Sequence, residues 1–306
     1  MKQSENMVWI EGILSEVNLK NGSYVKEGKT IEYISGDITV LVEQEVNGIP
    51  EESFIPVSFF SNRYNKDGKV NSSYENLSQV LTNYTSIAAC GDKEKADKVR
   101  ITKGAGAIEV NDFPNREGKV VSTQRVRANF VSKVVGEFKP QARFWVDLYL
   151  VESNFATDEE GAELEPKKLN IRGLLIGWND RVDVVNFVAA SPNTIDVVQG
   201  LEPNYIYHLT GRLNFAAQQA VKKVSAGGFG GFGESTEKPY TKVNREFIIT
   251  GGNDIPLEDE FTPTEEEIRT ALAARKVRIE QAIEKAKNRT KATPAPVAKA
   301  GLDLGF

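Results

Sequence analysis

The sequence predicts an all-β chain of two tandem five-stranded barrels, followed by a C-terminal α-helix and a disordered tail. Segments rich in β-branched and aromatic residues, separated by Gly, Asn and Asp turns, fill the chain to about residue 250. The order of these segments in the first half returns in the second half, roughly 100 to 120 residues later. The 306 residues are also long enough for about two domains.

Each half has the same predicted order of elements: three strands, one helix and two further strands. On a unit of about 110 residues this is the connectivity of the five-stranded OB barrel. A small β-sandwich or an SH3-like barrel is the alternative, but the single helix between the third and fourth strands favours the OB barrel. The predicted strands are 8–19, 31–45, 54–60, 99–110, 120–135, 144–153, 169–176, 181–188, 205–215 and 243–250, and the predicted helices are 73–88 and 193–200.

The boundary between the two barrels is predicted from a turn-rich segment. Residues 111–119 (NDFPNREGK) combine Asn, Asp, Pro and Gly, the residues that most often form turns. The chain then divides into a first barrel (1–113), a second barrel (114–252), an acidic linker with an amphipathic helix (253–290) and a flexible tail (291–306).

The C-terminal helix is predicted from its start signals and its apolar face. Thr262 and Glu265 fit a capping box, and Pro263 fits the first helical position. The tail that follows is rich in Pro, Ala and Lys, a composition typical of chains that are disordered when free. The apolar residues at helical spacing are Ile268, Leu272, Ile279 and Ile283.

Composition limits the chemistry that the chain can perform. The single cysteine, Cys90, forms no internal disulfide, and the sequence has no cluster with zinc-ligand spacing. The single histidine, His208, lies in a predicted strand, so we interpret it as structural. The acidic segment 158–165 is interpreted as a solvated hairpin tip, because metal-binding carboxylates need rigid elements to hold them. We therefore expect no enzymatic activity, no metal and no cofactor.

Hydropathy indicates where the protein acts, and net charge indicates what the protein needs in order to bind a polyanion. The sequence has no run of about 18 apolar residues and no apolar N-terminal region typical of a signal peptide. We therefore expect a cytoplasmic protein without a membrane segment. The net charge is −5, so binding of a polyanion requires a local cationic stripe that is segregated from the acids.

The segment 119–143 mixes cations with aromatic rings. It contains six basic residues and one acid, with phenylalanines between them and a tryptophan just after. This combination is typical of single-strand binders, because cations follow the phosphates and rings stack on unpaired bases. The alternative is an amphipathic strand whose rings lie in the core. The candidate nucleic-acid contacts are Arg125, Arg127, Phe130, Lys133, Arg143 and Trp145.

A glycine-rich loop between the last two predicted strands carries a second group of candidates. A run of glycines packs no core, so we expect Phe229 and Phe232 to lie on a mobile backbone, near Lys222 and Lys223. In an OB barrel, this hairpin is one of the loops that close over a bound strand. The alternative is a linker whose phenylalanines dock locally.

A third group occupies comparable places in the two halves. The stretch FFSNRYNK of the first half again mixes rings with cations, and in the second half a tryptophan lies beside an Asn-Asp turn. Structural roles in strands and turns are the alternative. The candidates are Phe60, Arg63, Tyr64 and Lys66, with Tyr24, Lys26, Phe59 and Lys69 beside them, and Arg172, Trp178, Arg181 and Arg212 in the second half.

The last six residues, GLDLGF, end in an aromatic ring preceded by one acid. Asp303, Leu304 and Phe306 are candidate partner-binding residues, because a terminal ring can enter an apolar pocket while a partner's cations hold the charge. In this tail and in the OB-like units before it, the chain resembles bacterial and phage single-stranded DNA-binding proteins. The tip in that family usually carries several aspartates, whereas this one has a single acid; the more acidic segment 254–261 lies inside the chain.

The resemblance implies a protein that holds and protects single-stranded DNA during replication or recombination and recruits replication or recombination proteins through its tail. The tandem form suggests a phage protein. A virion or scaffold protein that uses the barrels and the helix for protein contacts is the alternative. The sequence leaves open whether RNA is bound and which oligomeric state the protein adopts.

Overall fold

The computed structural model describes residues 1–115, 119–158, 160–224 and 236–291, without the side chains of 217–224, 236–243, 259 and 285–291. Strands dominate this part of the chain and confirm the predicted all-β class. Nearly all of the predicted tail falls outside the described residues. Within those residues, no helix combines the length and the apolar character that crossing a membrane requires.

Five strands close the first barrel in the order β1–β2–β3–β5–β4–β1. Strands β3 and β5 run parallel, with Val57 opposite Val126, and the other neighbours are antiparallel. Two helices, α1 (Ser72–Asn83) and α2 (Ile87–Cys90), connect β3 to β4, and the side chain of Asn71 caps α1. The strands are β1 (Asn6–Lys26), β2 (Lys29–Val46), β3 (Ile49–Asn62), β4 (Lys98–Pro114) and β5 (Val120–Ala128).

The second barrel repeats this topology, in the order β7–β8–β9–β11–β10–β7. Its third and fifth strands are again parallel, with Val188 opposite Ile248, and α3 (Pro192–Gln199) again lies between the third and fourth strands. The OB connectivity predicted for both halves is therefore confirmed. The strands are β7 (Gln141–Phe155), β8 (Leu169–Ile176), β9 (Val182–Ala189), β10 (Ile206–Val224) and β11 (Thr236–Gly252).

The predicted barrel boundary needs a correction. Residues 111–114 of this segment belong to the end of β4, and β5 pairs with β3 and β4 of the first barrel. The first barrel therefore extends to Ala128 rather than to residue 113. After it, the short strand β6 (Ser132–Lys133) pairs with β4, and the second barrel begins with β7. The prediction failed because a hairpin turn and a domain linker have the same Asn/Pro/Gly composition.

The two barrels share one strand and one core. The first residues of β1 pair with β4 on one side and with β7 on the other, so that Trp9 lies opposite Arg143. The buried residues of both barrels form one continuous hydrophobic cluster. At the same seam, the backbone N–H of Phe215 donates to the buried Ser53 Oγ over 3.3 Å, and Arg212 forms an ion pair with Glu51. The barrels are therefore packed against each other and not merely linked.

Glu11 is a buried carboxylate that anchors the connection between the barrels. It accepts hydrogen bonds from Arg100 Nε at 2.7 Å and from the backbone N–H of Lys139 at 2.8 Å. Burial by itself raises the pKa of Glu11, but these hydrogen bonds and the charge of Arg100 outweigh it, so that the pKa lies below its ordinary value. The ionised carboxylate therefore stabilises the segment that leads into β7.

The C-terminal helix, α4 (Glu265–Lys291), packs across both barrels. Ile268 and Ala271 are buried against β8 and β9 of the second barrel, and Arg275 Nη2 lies 2.7 Å from Asp112 Oδ1 of the first. The capping box is formed by Thr264 and Glu267, two residues after the predicted pair, because their side chains and backbone N–H groups bond reciprocally.

Candidate nucleic-acid interface

Three aromatic rings lie side by side on the outer face of the first barrel, and we call them the aromatic ladder: Tyr24 of β1, Tyr33 of β2 and Phe60 of β3. The ring centroids of Tyr33 and Phe60 are 5.4 Å apart with 30° between the ring planes, and those of Tyr24 and Tyr33 are 5.9 Å apart with 47° between the planes. Phe60 is 43% exposed and Tyr24 is 38% exposed. Strand alternation explains the arrangement, because Phe59 points into the core and the next residue must point outward.

A glycine makes room for the middle ring of the ladder. A β-carbon at Gly22 would lie 2.5 Å from Cζ of Tyr33. The ring of Tyr33 therefore lies flat over the β1 backbone, in the register that pairs Gly22 with Tyr33. Any larger residue at Gly22 would displace this ring.

The end of β3 adds a further ring and a cation beside the ladder. Tyr64 is exposed, and the guanidinium carbon of Arg63 lies 5.4 Å from its ring centroid. Arg63 also forms an ion pair with Glu32 of β2. Lys66 follows in the exposed turn. The structure thus brings all four candidates of the FFSNRYNK stretch to one end of the first barrel.

Arg125 and Arg127 lie on the same outer face, on β5, where Arg127 is paired in register with Ser58 of β3. They were predicted to open the second barrel, and that assignment is corrected because β5 belongs to the first. A groove of about 450 Å³ runs between these arginines and the ladder, and we call it the ladder groove. It is lined by Ser35, Gly36, Asp37, Ser58, Phe59, Phe60, Arg125 and Arg127.

Glu109 of β4 holds both arginines in place. Its Oε2 lies 2.8 Å from Arg125 Nη2, and its Oε1 lies 3.0 Å from Arg127 Nη1. Burial by itself raises the pKa of Glu109, but the hydrogen bonds and charges of the two arginines outweigh it, so the pKa is lowered. The guanidinium groups are fixed in position, and each remains more than a third exposed.

Trp178 and Arg181 of the second barrel face the first barrel across another groove. This inter-barrel groove has a volume of about 490 Å³ and lies between β4 and the turn that connects β8 to β9. Trp178 is 76% exposed. Arg127 lines this groove as well as the ladder groove.

Arg143, Trp145 and Arg212 meet in a third cavity, of about 360 Å³, beside the β2–β3 hairpin. Arg143 and Arg212 are directly opposite each other on β7 and β10. Trp145 is half-buried, and Lys103 Nζ lies 3.5 Å from its ring centroid. This cavity is separate from the ladder groove, because it adjoins the opposite end of β2 and β3.

The structure does not bring the remaining described candidates to any of these grooves. Lys133 forms an ion pair with Asp97 over 2.8 Å. Phe130 is exposed in the loop after β5, and Arg172 pairs with Glu152 on the outer face of the second barrel. The remaining candidates, or their side chains, lie outside the described residues: Lys222, Lys223, Phe229, Phe232, Asp303, Leu304 and Phe306.

Sequence reasoning missed two parts of this surface. Tyr33 was not a candidate, although it is the central ring of the ladder; only the β2–β3 register shows that it adjoins Phe60. The small residues 104–107 that line the inter-barrel groove were also missed, because such residues carry no recognisable charge or ring. Among the described residues, no group of three or more His, Cys, Asp or Glu side chains is arranged to hold a metal.

Comparison with solved structures finds distant likenesses, among them two structures of one protein. A deletion mutant of the single-stranded DNA binding protein from Thermus aquaticus aligns at 14% identity and a TM-score of 0.46, covering 87% of this chain and 100% of the other. The wild-type protein aligns at 12% identity and a TM-score of 0.44, covering 86% and 95%. At these values, the fold assignment depends on the strand pairings above and not on the likeness.

A search of curated proteins finds no match for this chain. The model of the family called YorF, in contrast, matches residues 4–289, which include both barrels and nearly all of α4. The chain therefore belongs to the YorF family.

Proposed function

We propose that this protein binds single-stranded DNA with little sequence preference, on the face formed by the aromatic ladder and the ladder groove. The row of half-buried Tyr33 between exposed Tyr24 and Phe60, beside Arg125 and Arg127, carries the proposal. Rings of this kind stack on unpaired bases, and cations beside them follow the backbone phosphates. We further propose that the protein acts in the cytoplasm during phage replication or recombination.

The exposure of the ladder supports a binding role over a structural one. The core of the first barrel is already filled by the inward residues of the same strands, such as Ile34, Ile55 and Val57. Rings on the outer face therefore add nothing to that core, and leaving them in water forgoes the burial of large apolar areas. A ligand with flat apolar faces would recover that burial.

The charges of the groove explain how an acidic protein could hold a polyanion. The net charge is −5, but the ladder is bordered by Arg63, Arg125 and Arg127, each fixed by a carboxylate on a neighbouring strand. A phosphate that binds these guanidiniums must compete with those carboxylates. Neutralised phosphates release the cations condensed on the DNA, so binding should weaken as salt rises.

The test is a titration of labelled oligo-dT at two salt concentrations, with Phe60→Ala as the variant. Loss of one stacking ring should weaken binding by about 1–3 kcal/mol. Phe113→Ala is the matched control, because Phe113 is 41% exposed and lines none of the three cavities. Absence of binding at low salt, or equal affinity of Phe60→Ala and wild type, would contradict the proposal. Titrations with duplex DNA and with oligo-rU of the same length measure the preference for single-stranded over duplex DNA and for DNA over RNA.

Recruitment of a replication or recombination protein by the C-terminal tip is the second part of the proposal. Its support is the sequence of Asp303, Leu304 and Phe306, which suits insertion of a terminal ring into a partner's pocket. Removing residues 301–306 should leave oligo-dT affinity unchanged and abolish binding to that partner in a nuclease-treated pull-down from infected cells. Retention of the partner by the shortened chain would contradict this part.

The alternative role as a virion or scaffold protein is less well supported. It requires α4 to serve as an assembly element, yet Ile268, Ala271 and Arg275 of α4 already contact the barrels of the same chain. Sedimentation across a range of protein concentrations tests this alternative. Concentration-dependent assembly without oligo-dT binding would favour it.

A further inference from the structure

We infer that a DNA strand on the ladder continues into the inter-barrel groove and stacks a base on Trp178, so that one strand contacts both barrels. The inference rests on the proposed function. Arg127 carries it, because this side chain lines both the ladder groove and the inter-barrel groove. A phosphate held by Arg127 is therefore at the point where the two grooves meet, and the adjoining nucleotides can lie in either.

The inter-barrel groove has the size and the open floor that a nucleotide needs. Its volume of about 490 Å³ lies within the range of about 300–1,000 Å³ that is usual for small-ligand sites. Residues 104–107 of β4 are Gly-Ala-Gly-Ala, so no long side chain rises from this part of the floor. The neighbouring backbone is fixed, because Asn6 Nδ2 donates to the Ile108 carbonyl at 2.8 Å and the Ile108 N–H donates to Asn6 Oδ1 at 2.9 Å.

The turn that carries Trp178 is anchored at the edge of this groove. This turn contains two consecutive residues in the left-handed region, Asn179 with φ 54° and Asp180 with φ 53°. The Gly177 N–H closes the turn by donating to the Arg181 carbonyl over 2.7 Å. Arg181 Nη2 in turn donates to the Val110 carbonyl of the first barrel over 3.3 Å. A largely exposed ring on a turn that is anchored to both barrels is preorganised for stacking.

Cations lie on both walls of the groove. Arg127 stands on the first-barrel side and Arg181 on the second-barrel side. Each is paired with a carboxylate that also lines the groove, Glu109 and Asp183 respectively. The arrangement repeats that of the ladder groove, where fixed arginines stand beside an exposed ring, and it favours the same ligand.

The test compares a short and a long oligo-dT, of about 6 and about 20 nucleotides, because one OB barrel covers about 4–16 nucleotides. The measured quantity is the ratio of the two dissociation constants. In wild type the long strand reaches both rings and gains affinity. Phe60→Ala leaves Tyr24, Tyr33 and Trp178 and should weaken the binding of both strands. In Trp178→Ala the ring that only the long strand reaches is lost, so we expect the ratio to fall by about 5- to 100-fold. Ala107→Leu narrows the groove without removing a ring or a charge, and we expect the same fall.

The outcomes separate this inference from the proposed function. If wild type binds neither strand, the proposed function fails and the inference fails with it. If Phe60→Ala weakens binding but Trp178→Ala and Ala107→Leu keep the wild-type ratio, the ladder binds DNA and the crossing is refuted. Phe113→Ala should keep the wild-type ratio. Tryptophan fluorescence gives an independent readout, because quenching by the long strand should be largely lost in Trp178→Phe.

Discussion

Replacing Glu109 with Gln should tighten DNA binding and destabilise the fold. Glu109 contacts both Arg125 and Arg127, so a phosphate held by these arginines would lie about 6 Å from its carboxylate. Two like charges at that distance repel by about 0.7 kcal/mol in water and about 3 kcal/mol at an effective dielectric constant of 20. The arginines are more than a third exposed, so we expect about 1 kcal/mol, or about fivefold tighter binding.

Salt and denaturant titrations check both halves of this prediction. The slope of log affinity against log salt should steepen by about 0.7 if the freed arginines hold one more phosphate. The free energy of unfolding in urea should fall by about 1–2 kcal/mol, because two partly buried ion pairs are lost. Glu43→Gln is the matched control, since it breaks the ion pair with Lys93 away from the grooves. Weaker or unchanged DNA binding by Glu109→Gln would refute the reasoning.

Three other substitutions test the ladder, the seam between the barrels and the buried carboxylate. Gly22→Ala places a carbon 2.5 Å from the Tyr33 ring, so oligo-dT affinity should fall about 3- to 10-fold with little change in Tm; unchanged affinity would mean that this ring contacts no base. Arg212→Ala removes the ion pair with Glu51 and should lower the free energy of unfolding in urea by about 1–3 kcal/mol; no loss would mean that this pair contributes nothing to the seam. The folded-state pKa of Glu11 is lowered from 4.5, so its ionised form stabilises wild type above that pH, and the contribution is lost as the pH falls through the folded pKa. Below about pH 4.5, the free energy of unfolding of Glu11→Gln should therefore decline less steeply with falling pH than that of wild type. Parallel pH curves for the two proteins would contradict this.

The topology was predictable because local signals and tertiary order agree. The helix starts near Ser73 and Asn193 were readable from caps and helical spacing, and both are observed within one residue. Each of these helices lies between the third and fourth strands of its barrel, which distinguishes the OB connectivity from other small barrels.

The candidate binding surface was only partly predictable because it depends on strand register and barrel closure. Arg125 and Arg127 carried a clear charge signal, but the barrel that they belong to is decided by the parallel pairing of β5 with β3, which no local pattern encodes. Tyr33 was missed because its neighbour Phe60 is 27 residues away in sequence and adjoins it only through the β2–β3 hairpin. Trp178 and Arg127 line the same groove only when both barrels are assembled.

Strand β1 has a consequence for how the chain can be divided. Its first residues are hydrogen-bonded to both β4 and β7, and its later residues pair with β2 and carry Tyr24. A fragment that ends at Ala128 would leave the β7-facing side of this strand as an open edge, and such edges recruit other chains. We therefore expect isolated halves of this protein to aggregate. We also expect evolution to disfavour the replacement of one barrel by that of a related protein.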